Sequence, residues 1–133
     1  MRLIGRAAAL GVLAGLALIV ESFPQAPAKQ APGTKAIPEL SRPAREGKAA
    51  FDRHCIRCHG PDASGTTQGP PLVHRVYEPG HHGDEAFRLA IKRGTRAHHW
   101  RFGDMPPVPG ITDPEIATVI HYVRELQRAS GIK

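Results

Sequence analysis

An all-α fold is what this 133-residue sequence predicts. Three observations lead there. Apolar residues recur at helical spacing in separate segments beyond residue 42, and no stretch alternates convincingly in the manner of a strand. The stretches between those segments are long for so small a helical domain, unless something inside organises them. Aromatic residues make up only 5% of the chain, a lean supply of bulky core. Small folds offset such a shortage with a metal, a disulfide or a large bound group.

The N-terminal region reads as lying outside this fold. Arg2 and Arg6 make a basic start, and Ala7–Val20, "AAALGVLAGLALIV", is an uncharged run. A basic start followed by a short apolar run is the pattern of a secretory signal, with Ala26-Pro27-Ala28 offering small residues for cleavage. A membrane span needs roughly 20 apolar residues, so a retained N-terminal anchor is the alternative. Residues 1–20 are therefore a signal peptide or an anchor. On both readings the rest of the chain is exported, free in the periplasm or anchored to the outer face of the cytoplasmic membrane. Residues 21–40, "ESFPQAPAKQAPGTKAIPEL", carry four prolines and almost no periodicity, and read as a linker.

The domain is expected over 41–133. A first helix is predicted from about Pro43 to Cys58, with Pro43 allowed in its first turn. Residues 60–82 are loop-like. Gly83 or Asp84 opens a second helix, with Phe87, Ala90 and Ile91 at helical spacing and Gly94 as its stop. Another irregular stretch covers 95–111. Thr112 and Glu115 then form a capping box with Pro114 in the first turn. The last helix carries the stripe Ile116, Val119, Ile120, Val123 and Leu126, and ends at Ser130-Gly131. It is expected to cross the first helix where Gly47 permits close approach, with Tyr122 against it.

Lys and Arg number 18, Asp and Glu 12, for a formal charge of +6. Such a charge suits steering toward an acidic protein partner or a membrane surface. No nucleic-acid-binding motif or run of basic residues is present, which argues against nucleic acid.

The chemistry gathers at "FDRHCIRCHG", residues 51–60, which holds the only two cysteines. A disulfide between Cys55 and Cys58 would close a very short loop and stabilise little. A thioredoxin-like dithiol needs a βαβ context. Structural zinc wants a second ligand pair, and neither a second Cys pair nor an H-x₃₋₅-H pattern accompanies this one. The reading that uses Cys55, Cys58 and His59 together is C-x-x-C-H, the attachment pattern of c-type haem. Two cysteines three apart share a helix face, and the histidine behind them is placed to ligate iron. Beyond the initiator, Met105 in "GDMPP" is the only methionine. Pro106 and Pro107 stiffen its backbone, and Gly103 is expected to allow a tight approach. It is the candidate sixth ligand.

With these motifs in order, the sequence resembles the monohaem class I c-type cytochromes, an exported bacterial family, over about residues 41–131. "GKAAFDRHCIRCHG" is similar to that family's first helix and haem site. "GPPL" at 69–72 is similar to its G-P-x-L turn, "FGDMPPVPG" at 102–110 to its distal-ligand loop, and "IATVIHYVRELQ" to its closing helix. The resemblance implies the cytochrome c fold, helices and long loops wrapped around one covalently bound haem c. It implies thioethers to Cys55 and Cys58 and axial iron ligands His59 and Met105. It also implies that the Pro70 carbonyl accepts a hydrogen bond from His59. Leu72, Phe87, Ile91 and Trp100 are candidates to pack on the porphyrin; Trp100, Tyr77, Arg96 and Arg101 are candidates to reach its propionates.

The function so implied is an electron carrier, not an enzyme, serving a redox protein donor and acceptor that the sequence does not name. One rival is a haem-based gas sensor or peroxidase-like enzyme with an exchangeable sixth ligand, against which Met105 argues. A third class is a metal-binding module built from paired histidines. His81, His82, His98 and His99 are read as hydrogen-bonding groups around the haem edge, with copper or zinc binding, or ligation of the haem iron, as the alternatives. His54 and His121 are expected on the surface.

Overall fold

The computed structural model describes residues 39–133. The basic start, the apolar run and nearly all of the Pro-rich linker lie outside these residues. Ser41 opens α1 (Arg42–His54), its hydroxyl accepting from the Ala44 N–H at 3.4 Å. Pro43 occupies the first turn, where its missing N–H costs nothing. The Glu125 carboxylate, far along the chain, accepts from the Ser41 N–H at 2.8 Å and the Ser41 hydroxyl at 2.7 Å. The start of the first helix is thus tied to the last.

The expected helix through Cys58 is broken. α1 stops at His54, Cys55 takes φ −121° and ψ −29°, and a single turn, α2 (Ile56–His59), follows. The Cys55 N–H still donates to Phe51 O at 2.8 Å, and its carbonyl accepts from Cys58 and His59 at 3.1 and 2.9 Å. The backbone therefore stays paired through the change of direction. The following loop holds α2 to one turn by taking its end carbonyls. Gly65 N–H donates to His59 O at 2.6 Å, and the Thr66 hydroxyl to Cys58 O at 2.6 Å. Those are the acceptors a longer helix would have used.

A 3₁₀ turn at Pro61–Ala63 places Asp62 and Ala63 at φ +52° and +57°. Left-handed backbone costs a non-glycine residue about 1–2 kcal/mol. Tertiary contacts offset that: Tyr122 donates its hydroxyl to Asp62 Oδ1 at 3.0 Å, and the buried Ala63 carbonyl accepts from Leu72 N–H at 2.8 Å. A second 3₁₀ turn spans Arg75–Tyr77, and the His74 ring caps it by accepting from the Val76 N–H at 3.2 Å. α3 (Asp84–Arg93) begins at Gly83 with no side-chain cap and ends at Gly94, φ +74°. Thr95 and Met105 then form an isolated antiparallel bridge; among the described residues there is no strand.

α4 (Asp113–Ala129) starts with the expected capping box. Two Thr112 donors, the N–H and the hydroxyl, together with Arg53, hold the Glu115 carboxyl down at about 2. The helix buries the predicted stripe, and Tyr122, Arg124 and Gln127 besides. It crosses α1 and carries the core shared with α3. Phe51 and Tyr122, both fully buried, meet edge to face at 5.5 Å.

Gly47 makes that crossing possible. A Cβ built there would lie 1.9 Å from Thr118 O and 2.9 Å from Tyr122 Cβ, both on α4. Backbone cannot yield as a flexible side chain does. Gly47→Ala should therefore separate the helices and cost about 1–3 kcal/mol, as overpacking does, despite the better helix propensity of Ala. Thermal unfolding of the haem-loaded protein measures this. An unchanged midpoint would mean that the helices cross less closely than this.

Candidate metal centre

A cavity of about 400 Å³ opens between α1, the 60–82 loops, α3 and the Met105 loop. Its walls are mostly apolar. Phe51, Leu72, Phe87, Ile91, Val119 and Val123 line it, alongside Cys55, His59, Pro70 and Met105. Four residues from three separate segments of the sequence, each able to hold or orient a metal or its bound group, thus converge on one space. Cys58 does not line it; it is half-buried beside His59 in α2. The two cysteines are unbonded to each other. The break after His54 explains why they do not share one continuous helical face.

His59 is buried, and its Nδ1 lies 2.9 Å from Pro70 O. A carbonyl only accepts, so Nδ1 carries the proton and donates. Burial holds the imidazole below its ordinary value, with the Pro70 bond pulling the other way. A neutral ring with Nδ1 so engaged keeps Nε2 as its free lone pair, the state a metal requires. Burial, and to a lesser degree Cys58 alongside, pushes the Cys55 thiol up to about 11. Redox-active dithiols need the opposite shift.

Met105 is half-buried and held at its backbone on both sides. It exchanges N–H···O bonds of 2.9 Å with Thr95 in both directions. Gly94, just before Thr95, leaves room for it: a Cβ there would come within 2.5 Å of Met105 O. Gly103 behaves differently from expectation. No atom lies within 4 Å of where its Cβ would be, and its φ is +89°. Glycine there serves the left-handed turn, and the close approach belongs to Gly94.

Trp100, Tyr77 and Arg96 line the cavity, whereas Arg101 does not. The Trp100 indole N–H is buried without an aligned hydrogen-bond partner. Burial raises the Tyr77 phenol, offset in part by the neighbouring indole. Leu89 and Phe102 are large apolar residues on the cavity wall that remain well exposed, at 38% and 40%. His82, His98 and His99 also reach the wall, while His81 packs behind them. His121 is exposed and sits 3.3 Å from the Ser41 hydroxyl.

One residue of structural weight, Arg124, has no signature in the sequence reading. It is buried on α4 and donates to Asp84, to the Tyr77 and His82 carbonyls and to Gln127. It also lies 4.7 Å over the Phe87 ring. Its only sequence signal is a cation within the buried side of an otherwise apolar stripe.

No curated protein and no solved structure matches the chain. The family model for cytochrome c matches residues 44–127. That span holds Cys55, Cys58, His59, Pro70 and Met105 and all but the ends of α1 and α4. The chain belongs to the cytochrome c family, and its helices and long loops form that family's all-α fold.

Proposed function

We propose that this protein is an exported carrier of single electrons. It would hold one haem c through thioethers to Cys55 and Cys58, with His59 and Met105 on the iron. Family membership supplies the coarser statement, haem-based electron transfer. The observation that carries the finer one is convergence. A neutral, hydrogen-bonded imidazole and the domain's sole methionine, 46 positions apart (105 − 59), reach one apolar cavity.

The residues present fit haem c. The donor set pairs one imidazole with one thioether, a combination that raises the reduction potential of haem iron. The walls are hydrocarbon and aromatic. The buried Trp100 N–H makes no aligned hydrogen bond among the described residues, and a propionate is an acceptor of the right kind. When bound, haem c supplies an iron that changes oxidation state by one electron. The chain's own part is to fix the His59 ring through Pro70, to hold Met105 through Thr95, and to exclude water with the apolar walls.

The exposed apolar pair Leu89 and Phe102 flanks the cavity, and Arg96 and Arg101 lie exposed nearby in sequence with no ion pair among the described residues. This edge suits a transient partner that presents acidic side chains around an apolar centre. Export rests on the basic start and the apolar run of residues 2–20. Signal removal at Ala28 would leave a net charge of +5, by loss of Arg2, Arg6 and Glu21.

A redox titration tests the carrier reading. The haem-loaded protein should follow a one-electron Nernst curve and, when reduced, should not bind carbon monoxide at neutral pH. Electron exchange with an acidic redox protein should slow about tenfold or more from low to physiological salt, as screening removes steering. Carbon monoxide binding by the unmutated protein would favour a sensor or peroxidase. A salt-independent rate would remove the acidic partner.

A further inference from the structure

Two histidine pairs that are distant in sequence meet in space. His81 and His82 sit on the turn before α3, where both N–H groups donate to Glu78 O at 3.0 and 2.8 Å. His98 and His99 sit on the loop that the Thr95–Met105 bridge closes, which Asp104 braces by accepting from Ala97 N–H at 2.9 Å. Neighbouring ring centroids in this group of four are 4.4 to 5.6 Å apart. His81, His82 and His99 each offer a ring nitrogen, all within 4.8 Å of one another. His98 brings a fourth, its Nε2 lying 3.4 Å from Nε2 of His82.

We propose that His81, His82, His98 and His99 form a binding site for a divalent transition metal, copper(II) foremost, at the rim of the cavity. The proposal does not depend on the electron-carrier reading, which uses none of these residues. The tautomers carry the argument. His82 Nδ1 is 2.7 Å from Val76 O, and His98 Nδ1 is 2.7 Å from Arg96 O. Both Nδ1 atoms must therefore donate, and in the neutral rings this leaves both Nε2 atoms as lone pairs facing each other. Two lone pairs at that distance repel unless a cation lies between them. An Nδ1–H donated to a backbone carbonyl is also how metal-bound histidines are oriented.

The spacing suits a metal. Metal–nitrogen bonds of about 2.0–2.1 Å place tetrahedral ligands about 3.3–3.4 Å apart and adjacent square-planar ones about 2.9 Å apart. The His81–His99 and His82–His98 Nε2 pairs, at 3.1 and 3.4 Å, fall across that range. An all-imidazole donor set selects copper, zinc, nickel or cobalt over magnesium or calcium, and among divalent ions copper binds tightest. The site is preorganised on one side. Buried Arg124 donates to His82 O, while Glu78 and Val76 hold its N–H and ring.

The test is equilibrium dialysis of the haem-loaded protein, stripped with chelator, against copper(II) sulfate at neutral pH. One equivalent should bind, with nitrogen hyperfine structure in its electron paramagnetic resonance, and excess zinc(II) should displace it. His81 does not line the cavity, so His81→Ala should leave the haem spectrum unchanged. Its copper affinity should fall by at least the ~10–100-fold that loss of a mere supporting contact costs a metal site. His98→Ala should weaken binding likewise, and His121→Ala, outside the cluster, should not. No tightly bound copper in the unmutated protein would overturn the proposal and leave a shared proton to join His82 and His98. Copper binding that survives both His81→Ala and His98→Ala unchanged would place the metal elsewhere.

Discussion

Replacing Cys55 and Cys58 together with Ser should abolish covalently held pigment, and either single change should leave little stable haem-loaded protein. The unmutated protein should keep its colour on the polypeptide through acid-acetone extraction. The expected size of this effect follows from the core. The cavity walls carry Phe51, Leu72, Phe87, Ile91, Val119 and Val123. Five of the six are already buried, at 9% exposure or less, so a seated haem adds contacts across the cavity and cover for half-buried Leu72. Losing its attachment leaves that cavity unfilled at the centre of the core, which is costly. Serine is nearly the size of cysteine, so packing around the unliganded site should change little; what goes is the thioether. Extraction of the haem from unmutated protein would show that it is held without covalent bonds.

Arg124→Met should lower the stability of the haem-loaded protein by about 3 kcal/mol. Its guanidinium reaches Asp84 Oδ1 at 2.8 Å, Tyr77 O at 2.7 Å and Gln127 Oε1 at 2.7 Å, and it also donates to His82 O. Methionine fills similar volume and can keep contact with Phe87, but donates nothing. The acceptors fare differently. Asp84 is two-thirds exposed and can turn to water, so the ion pair itself is worth little. Tyr77 O keeps the Gln127 side-chain amide at 3.0 Å. The His82 carbonyl and Gln127 Oε1 lose a charged donor inside the fold, and that is where the cost lies. Arg124→Lys, with a point charge in place of the fork, should recover only part of it. Denaturant unfolding measures the difference. A loss under about 1 kcal/mol, the scale of a single ordinary hydrogen bond, would mean that the network is not held together as described.

Short-range features were legible in the sequence. The capping box at Thr112 and Glu115, the Gly94 stop and the α4 stripe depend on residues within one or two turns of each other, which is where sequence patterns act. The C-x-x-C-H motif, Pro70 and Met105 were also readable as residues. That Cys55, His59 and Met105 share one cavity is a tertiary fact. The break at Cys55 was missed because neither Cys nor Ile is a helix breaker, and the contacts that confine α2 come from Gly65 and Thr66 in the next loop. Arg124 was missed because its partners other than Gln127 lie 40 or more residues away. The four histidines were named together with copper or zinc binding as one alternative, but the meeting of the two pairs depends on two loops whose paths no local pattern sets. Gly103 was read for closeness and serves curvature, since a glycine in sequence does not say which of its two uses applies.

The sixth iron ligand decides between a carrier and a catalyst, and one spectrum tests it. Oxidised, haem-loaded protein at neutral pH should show the weak far-red absorption band of sulfur bound to ferric iron. Met105→Ala should remove that band, lower the reduction potential and let carbon monoxide bind the reduced protein, because the thioether favours the reduced state and blocks the open position. Unmutated protein without the band and with a low potential would contradict this account, pointing instead to His98 or His99, which reach the same cavity wall.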